Sequence, residues 1–151
     1  MKLSNNFTLE ELIKSETAIR RGINNTPSSS VVENLQQLVT NVLQPIRDKF
    51  GHITVTSGYR SAQLNVAIGG SATSDHVLGM AADIEVLGLD NKVLAQYVQN
   101  NIKFTQLILE FYTEGDPHSG WVHISYDKDD LKQEVLTAVK RNGKTVYLKG
   151  I

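Results

Sequence analysis

Apolar residues recur at helical spacing in the first third of the chain and cluster in short, strand-like runs over most of the rest. Thr8-Leu-Glu-Glu11 has the form of a capping box, in which side chains satisfy the free backbone N–H groups at a helix start, so a short helix is expected there. Asn24 to Ser30, rich in Asn and Ser around Pro27, reads as a loop. Ser30-Val-Val-Glu33 has the form of a second capping box, and Leu35, Leu38, Val39, Val42, Leu43 and Ile46 then follow with helical spacing. Pro45 lacks the N–H that would continue this helix, so it kinks or restarts it, and Gly51 ends it. Ile53 to Ser57 alternates and is β-branched, which predicts a strand. Ser61 to Ile68 fits a short helix, Gly69 to Ser74 a polar loop, and Ala82 to Val86 a strand. Asp90 is placed to cap a helix through about Gln99, with Val93, Leu94, Tyr97 and Val98 inward. Gln106–Glu110 and Trp121–Ser125 predict two strands, separated by a loop containing Gly, Asp and Pro. Two further apolar runs flank Arg141-Asn-Gly143, a hairpin signal. With helices first and most strands later, the pattern predicts an α+β domain whose sheet is largely antiparallel.

Composition narrows the function. A chain of 151 residues has the size of one domain, and its 40% hydrophobic content supplies a core without covalent staples. The formal net charge of -1 gives no field to recruit nucleic acid, and no basic patch is interleaved with aromatics. The absence of cysteine excludes disulfides, thiolate-bound zinc and thiol nucleophiles, so any metal must be held by nitrogen and oxygen. The N-terminus has no long apolar region and no small-residue cleavage site, and no stretch is long enough to cross a membrane. The expectation is a protein that is cytoplasmic as made, with no signal peptide and no membrane insertion, and monomeric.

The chain has four histidines, and two of them sit in distinctive company. His76 lies in Ser74-Asp-His-Val-Leu-Gly-Met-Ala-Ala-Asp83, and His123 in the strand-like Trp121-Val-His-Ile-Ser125. A catalytic zinc site uses three protein ligands and keeps one position open for water, whose pKa then falls toward neutral. Gly79 and two alanines let the chain turn and pass closely beneath such a site. Asp83 lies between apolar Ala82 and Ile84, and a carboxylate buried among such neighbours needs a partner, for which a metal is one choice. By themselves these residues fit ordinary roles better: a lone strand histidine is usually hydrogen-bonded or at the surface, and a strand aspartate is often a salt-bridge partner.

Three segments in order change that balance. Ser57-Gly-Tyr-Arg-Ser61, Ser74-x-His76-x-x-Gly79-x-Ala81-x-Asp83 and Trp121-x-His123 resemble the zinc D-Ala-D-Ala carboxypeptidase family of metallopeptidases, in its small single-domain, phage-endolysin type. Phe7-Thr-Leu-Glu-Glu-Leu, Asn25-Thr-Pro27 and Leu43-x-Pro-Ile-Arg47 extend the likeness over nearly the whole chain. The resemblance implies one zinc peptidase domain over residues 1–151, with N-terminal helices packed on a mainly antiparallel sheet, as in Hedgehog and DD-peptidase domains. It implies His76, Asp83 and His123 as ligands of Zn2+. It gives Arg60 a substrate contact, for which a guanidinium fork is chemically suited. Ser74 either hydrogen-bonds the substrate or fixes the His76 loop, and Trp121 either walls the pocket or belongs to the core.

The chain departs from the family pattern at one position. Many members carry Glu or Asp three residues before the second histidine, where this chain has Gly120. Glu110 is the preferred general base, because its strand is a candidate neighbour of the His123 strand. Glu114 and Asp116 are loop alternatives, and His118 is a possible proton donor. His52 follows the helix-ending Gly51 and reads as a solvated cap residue. The resemblance thus implies hydrolysis of peptide bonds in peptidoglycan stem peptides, by a D-Ala-D-Ala carboxypeptidase or an L-Ala-D-Glu endopeptidase. It also implies a phage or prophage enzyme that reaches the wall through a phage lysis system. Gly120 leaves a non-catalytic zinc-binding or phage-structural module of the same fold as the alternative.

Overall fold

Thr8 caps the first helix as its spacing requires: its hydroxyl accepts from the Glu11 amide while the Glu11 carboxylate accepts from the Thr8 amide. A computed structural model describes residues 1–151. Helices α1 (Leu9–Ile13), α2 (Glu16–Arg21), α3 (Ser29–Leu38) and α4 (Gln44–Phe50) come first. Strand β1 (Ile53–Ser57), helix α5 (Ala62–Ala67), strand β2 (Ala81–Val86) and helix α6 (Asn91–Asn101) follow. The chain ends in β3 (Gln106–Glu110), β4 (Trp121–Ser125), β5 (Glu134–Arg141) and β6 (Lys144–Lys149).

Two local expectations are corrected. Helix α3 starts two residues earlier than the Ser30 signal suggests: Ser28 is the cap, accepting from the Val31 amide, and Ser30 lies inside the helix. Val31 occupies the position where Glu33 would have completed a box, so the reciprocal bond is absent and a single serine hydroxyl does the capping. On α6, Val93 is exposed, while Leu94, Ala95 and Val98 are buried. The backbone stays helical through Pro45: a π-helical turn, Val39–Leu43, joins α3 directly to α4, and Pro45, which has no N–H to donate, lies just after that turn.

The six strands form one sheet in the order β1-β2-β4-β3-β5-β6. Every pair is antiparallel except β3–β5, which is parallel. One face carries Ala82, Ile84, Leu107, Leu109, Val122 and Ile124, all buried against α3, α4, α6 and the π turn through Leu35, Leu38, Val42, Leu43, Ile46, Leu94 and Val98. The opposite face is open. Paired residues share a face, so the register lines up one row of side chains across all six strands: Ser57, Asp83, His123, Ile108, Leu136 and Lys149. A second row holds Trp121, Glu110, Ala138 and Tyr147. This is a single α+β domain, and the open sheet face carries the chemistry. No helix is long and apolar enough to cross a membrane.

Candidate metal centre

Asp83 and His123 are directly paired neighbours on β2 and β4, so strand pairing alone brings two of the three expected ligands together. His76 arrives from a 3-10 turn, Asp75–Leu78, just before β2. Ser74 fixes that turn by accepting from the His76 amide at 3.2 Å, and Gly79 ends it with φ 73°. A Cβ on Gly79 would stand 2.8 Å from the Val31 side chain and 2.9 Å from its carbonyl oxygen, so only glycine lets the turn lie this close to α3.

His76, Asp83 and His123 each offer one ligand atom, and the three atoms lie within 4.8 Å of one another. Asp83 Oδ1 is 2.9 Å from His123 Nδ1 and 3.3 Å from His76 Nε2. His76 Nδ1 donates to the Gly58 carbonyl at 2.7 Å, because a carbonyl oxygen can only accept. A neutral His76 therefore presents a lone pair from Nε2 to a carboxylate oxygen, and two acceptors at that separation need a cation or a proton between them. Burial pushes the Asp83 carboxyl up, but its interactions with His123 and His76 outweigh it and hold the group well below the usual carboxylate range. Burial also pushes His123 down, and the Asp83 hydrogen bond and charge overcome this and raise it. Two imidazoles and a carboxylate facing one point are a donor set that fits zinc.

The surroundings hold these groups in place. Arg60 sits three residues beyond β1, and its Nε donates to Ser57 Oγ at 3.0 Å and its Nη1 to Asn65 Oδ1 at 3.2 Å. Its Nη2 lies 3.5 Å from Asp83 Oδ2, the oxygen turned away from the histidines. Asn25 ties down the same loop, donating to the carbonyls of Ile13 and Tyr59 and accepting from the Ser61 amide. Ser57, Asn65 and the Gly58 carbonyl are parts of the site that sequence reading missed as such. Ser57 and Gly58 lay in the Ser-Gly-Tyr-Arg motif but carried no assigned role, and Asn65 gave no signal beyond being a polar residue in a short helix.

A pocket of about 490 Å³ opens over this group, lined among others by Arg60, Ser74, Glu110 and Trp121. Glu110 lies on β3 beside the His123 strand and directly opposite Trp121. Trp121 Nε1 donates to Glu110 Oε2 at 2.7 Å, and burial raises the pKa of this carboxyl. Trp121 is thus a pocket wall, only partly buried. Glu114, Asp116 and His118 are exposed and do not line the pocket. Their loop is tied to the start of α6, with Glu114 paired to Lys92 and the Pro117 carbonyl accepting from the Asn91 amide. His52 is exposed, in keeping with a solvated cap residue. Gly120 has a structural reason to lack a side chain: at φ 63° a Cβ there would lie 2.0 Å from the Glu110 carbonyl oxygen and 2.8 Å from the Phe111 carbonyl carbon. The backbone following Glu110 occupies the space that a carboxylate at position 120 would need.

The family profile of Peptidase M15 matches residues 5–125, well over half of the chain. No curated protein matches it. The matched span contains His76, Asp83 and His123 and every segment that tethers them. The chain belongs to the Peptidase M15 family, and that membership implies a metallopeptidase acting on a peptide substrate.

Proposed function

We propose that this protein is a zinc-dependent hydrolase of the stem peptides of bacterial peptidoglycan, with His76, Asp83 and His123 holding the metal and Glu110 as general base. The observation that carries the reading is the convergence of three ligand atoms within 4.8 Å, in a pocket that Glu110 and Arg60 also line. The substrate class rests on the likeness of the Ser57–Ser61, Ser74–Asp83 and Trp121–His123 segments to the D-Ala-D-Ala carboxypeptidase group. The same likeness supports a phage or prophage enzyme released to the wall during lysis.

Zinc held by these residues supplies a Lewis acid and brings the pKa of water in the pocket toward neutral. Glu110 takes the proton of the attacking water through Oε1, while Trp121 holds Oε2. The water oxygen adds to the scissile carbonyl carbon, the C–N bond breaks, and Glu110 delivers the proton to the leaving amine nitrogen. Arg60 steadies Asp83 through Nη2 and turns its remaining N–H groups to the charge that develops on the carbonyl oxygen. The raised pKa of Glu110 suits a group that must both accept and return a proton. Ser74 keeps the His76 turn in register, and Trp121 closes one side of the pocket.

The test is digestion of purified peptidoglycan with zinc-loaded protein, with products weighed by mass spectrometry. Loss of alanine or release of stem-peptide fragments is expected, and the product masses name the bond cut. Walls left unchanged, or cleaved only in the glycan strand, would sink the assignment.

A further inference from the structure

The family match ends at residue 125, but the pocket does not. Its lining continues from the ligand group through Gln106 and Ile108 of β3 to Leu136 of β5 and Tyr147 of β6. Both β5 and β6 lie wholly beyond the matched span. The parallel β3–β5 pairing puts Leu136 beside Ile108 in the row that contains His123 and Asp83, and the β5–β6 register puts Tyr147 in the row of Glu110 and Trp121. The hairpin therefore prolongs both functional rows rather than merely closing the sheet. Tyr147 is 54% exposed, a large ring left in water on the edge strand and facing the pocket. Gln106 Nε2 donates to Glu134 at 2.7 Å, which orients the amide and leaves its carbonyl oxygen free to accept.

On the other side of the ligand group the lining is polar, through Ser71, Thr73 and Asp75. The ligand group thus has pocket lining on both sides of it. Strands are spaced about 4.8 Å apart, so β6 lies roughly 14 Å from β4. An extended peptide advances about 3.5 Å per residue, so this arm has room for about four residues.

We infer that the C-terminal hairpin is a substrate subsite for an extended peptide, and that the enzyme cuts within a chain rather than removing a single terminal residue. Leu136, Ile108 and Tyr147 form the apolar floor for small aliphatic side chains, and the Gln106 carbonyl oxygen accepts a hydrogen bond from the peptide. The inference rests on the peptidase reading above and specifies its substrate.

The experiment compares kcat/KM for a free stem pentapeptide with that for N-acetyl-D-Ala-D-Ala, in wild type, Leu136→Ser, Tyr147→Ser and Tyr147→Phe, with zinc content and thermal melting measured on each. Wild type is expected to favour the pentapeptide by about tenfold or more, the loss of 1.4 kcal/mol of binding being one such factor. Leu136→Ser and Tyr147→Ser are expected to remove most of that preference through KM while zinc per chain stays at the wild-type value. Tyr147→Phe, which keeps the ring, is expected to retain it. Because Tyr147 is exposed, its variants remain informative if Leu136→Ser melts early. A preference that neither serine variant reduces, or a wild type that favours the dipeptide, overturns the subsite alone. A zinc-loaded wild type that cleaves neither peptide overturns the peptidase reading and the subsite with it.

Discussion

On β4, Val122 and Ile124 point into the helical layer and are fully buried, while Trp121 and His123, one residue away, face the pocket. The same alternation divides β3 between Leu107 and Leu109 on one side and Gln106, Ile108 and Glu110 on the other. One face meets aliphatic carbon, and its residues are interchangeable in chemistry though not in volume. The other holds two carboxylates, two imidazoles and a guanidinium, whose worth depends on atom positions. A one-residue register slip would exchange the two sets, so the packed face fixes the register on which the chemical face depends.

The largest effects are expected at the chemical face. His123→Ala removes a proposed ligand without touching the packed face, and abolition of both zinc retention and measurable peptide cleavage is expected, with an intact circular dichroism spectrum. Glu110→Gln keeps the shape of the proposed base and removes its proton affinity. It is expected to lower kcat by about 10²–10⁴ with zinc content unchanged, the range for loss of a general acid–base group. Full activity in this variant would return the base to an unassigned position.

The packed face should respond in the opposite way. Leu107→Ala is expected to cost about 2–5 kcal/mol of stability, read by denaturant unfolding, while the zinc-loaded folded fraction keeps its kcat. Gly120→Ala tests the seam between the faces. Its Cβ would collide with the backbone after Glu110, so a loss of more than ~1 kcal/mol is expected, together with a drop in activity as the Glu110 strand end shifts. Wild-type stability in Gly120→Ala would show that the close approach is not needed.

The smallest effect is on the pH dependence of the metal-free protein. His123 is raised above its ordinary 6.5, so the stability it draws from Asp83 is fully present below that value and is lost as pH rises through the folded pKa. Asp83 is lowered from 3.8, so its contribution is present above that value and is lost only as strong acid reaches its folded pKa. The melting midpoint of metal-free wild type should therefore fall between about pH 5.5 and about pH 8.5 by more than that of metal-free His123→Ala. Equal falls would mean that the pair contributes nothing without metal.

The two faces were also legible in the sequence by different means. Spacing alone outlined the packed face: the Leu35-to-Ile46 series and the alternating strands all emerged as read. Local competition between caps was invisible, since Ser28 and Ser30 offer the same hydroxyl and only the fold chooses Ser28. Val93 was misplaced because a single apolar residue at the edge of a helical stripe can face either way. His76, Asp83 and His123 were legible as a motif, and the structure brings their ligand atoms together. What no spacing could reveal was the tethering by Asn25 and the Gly58 carbonyl, which depends on contacts between segments far apart in the chain. Nor could spacing explain Gly120. In sequence it looked like a missing base and kept a non-catalytic reading open, whereas in the fold it is where the Glu110 backbone crosses.

The central claim is that His76, Asp83 and His123 hold a zinc ion on which peptide cleavage depends. The most direct measurement strips the protein with a chelator, determines metal per chain, and follows stem-peptide cleavage before stripping, after it and after titration with zinc. Loss of cleavage on stripping is expected, with recovery that saturates at one zinc per chain in wild type and neither binding nor recovery in His123→Ala. Cleavage that persists at full rate in the stripped protein, or zinc bound equally well by His123→Ala, would contradict it.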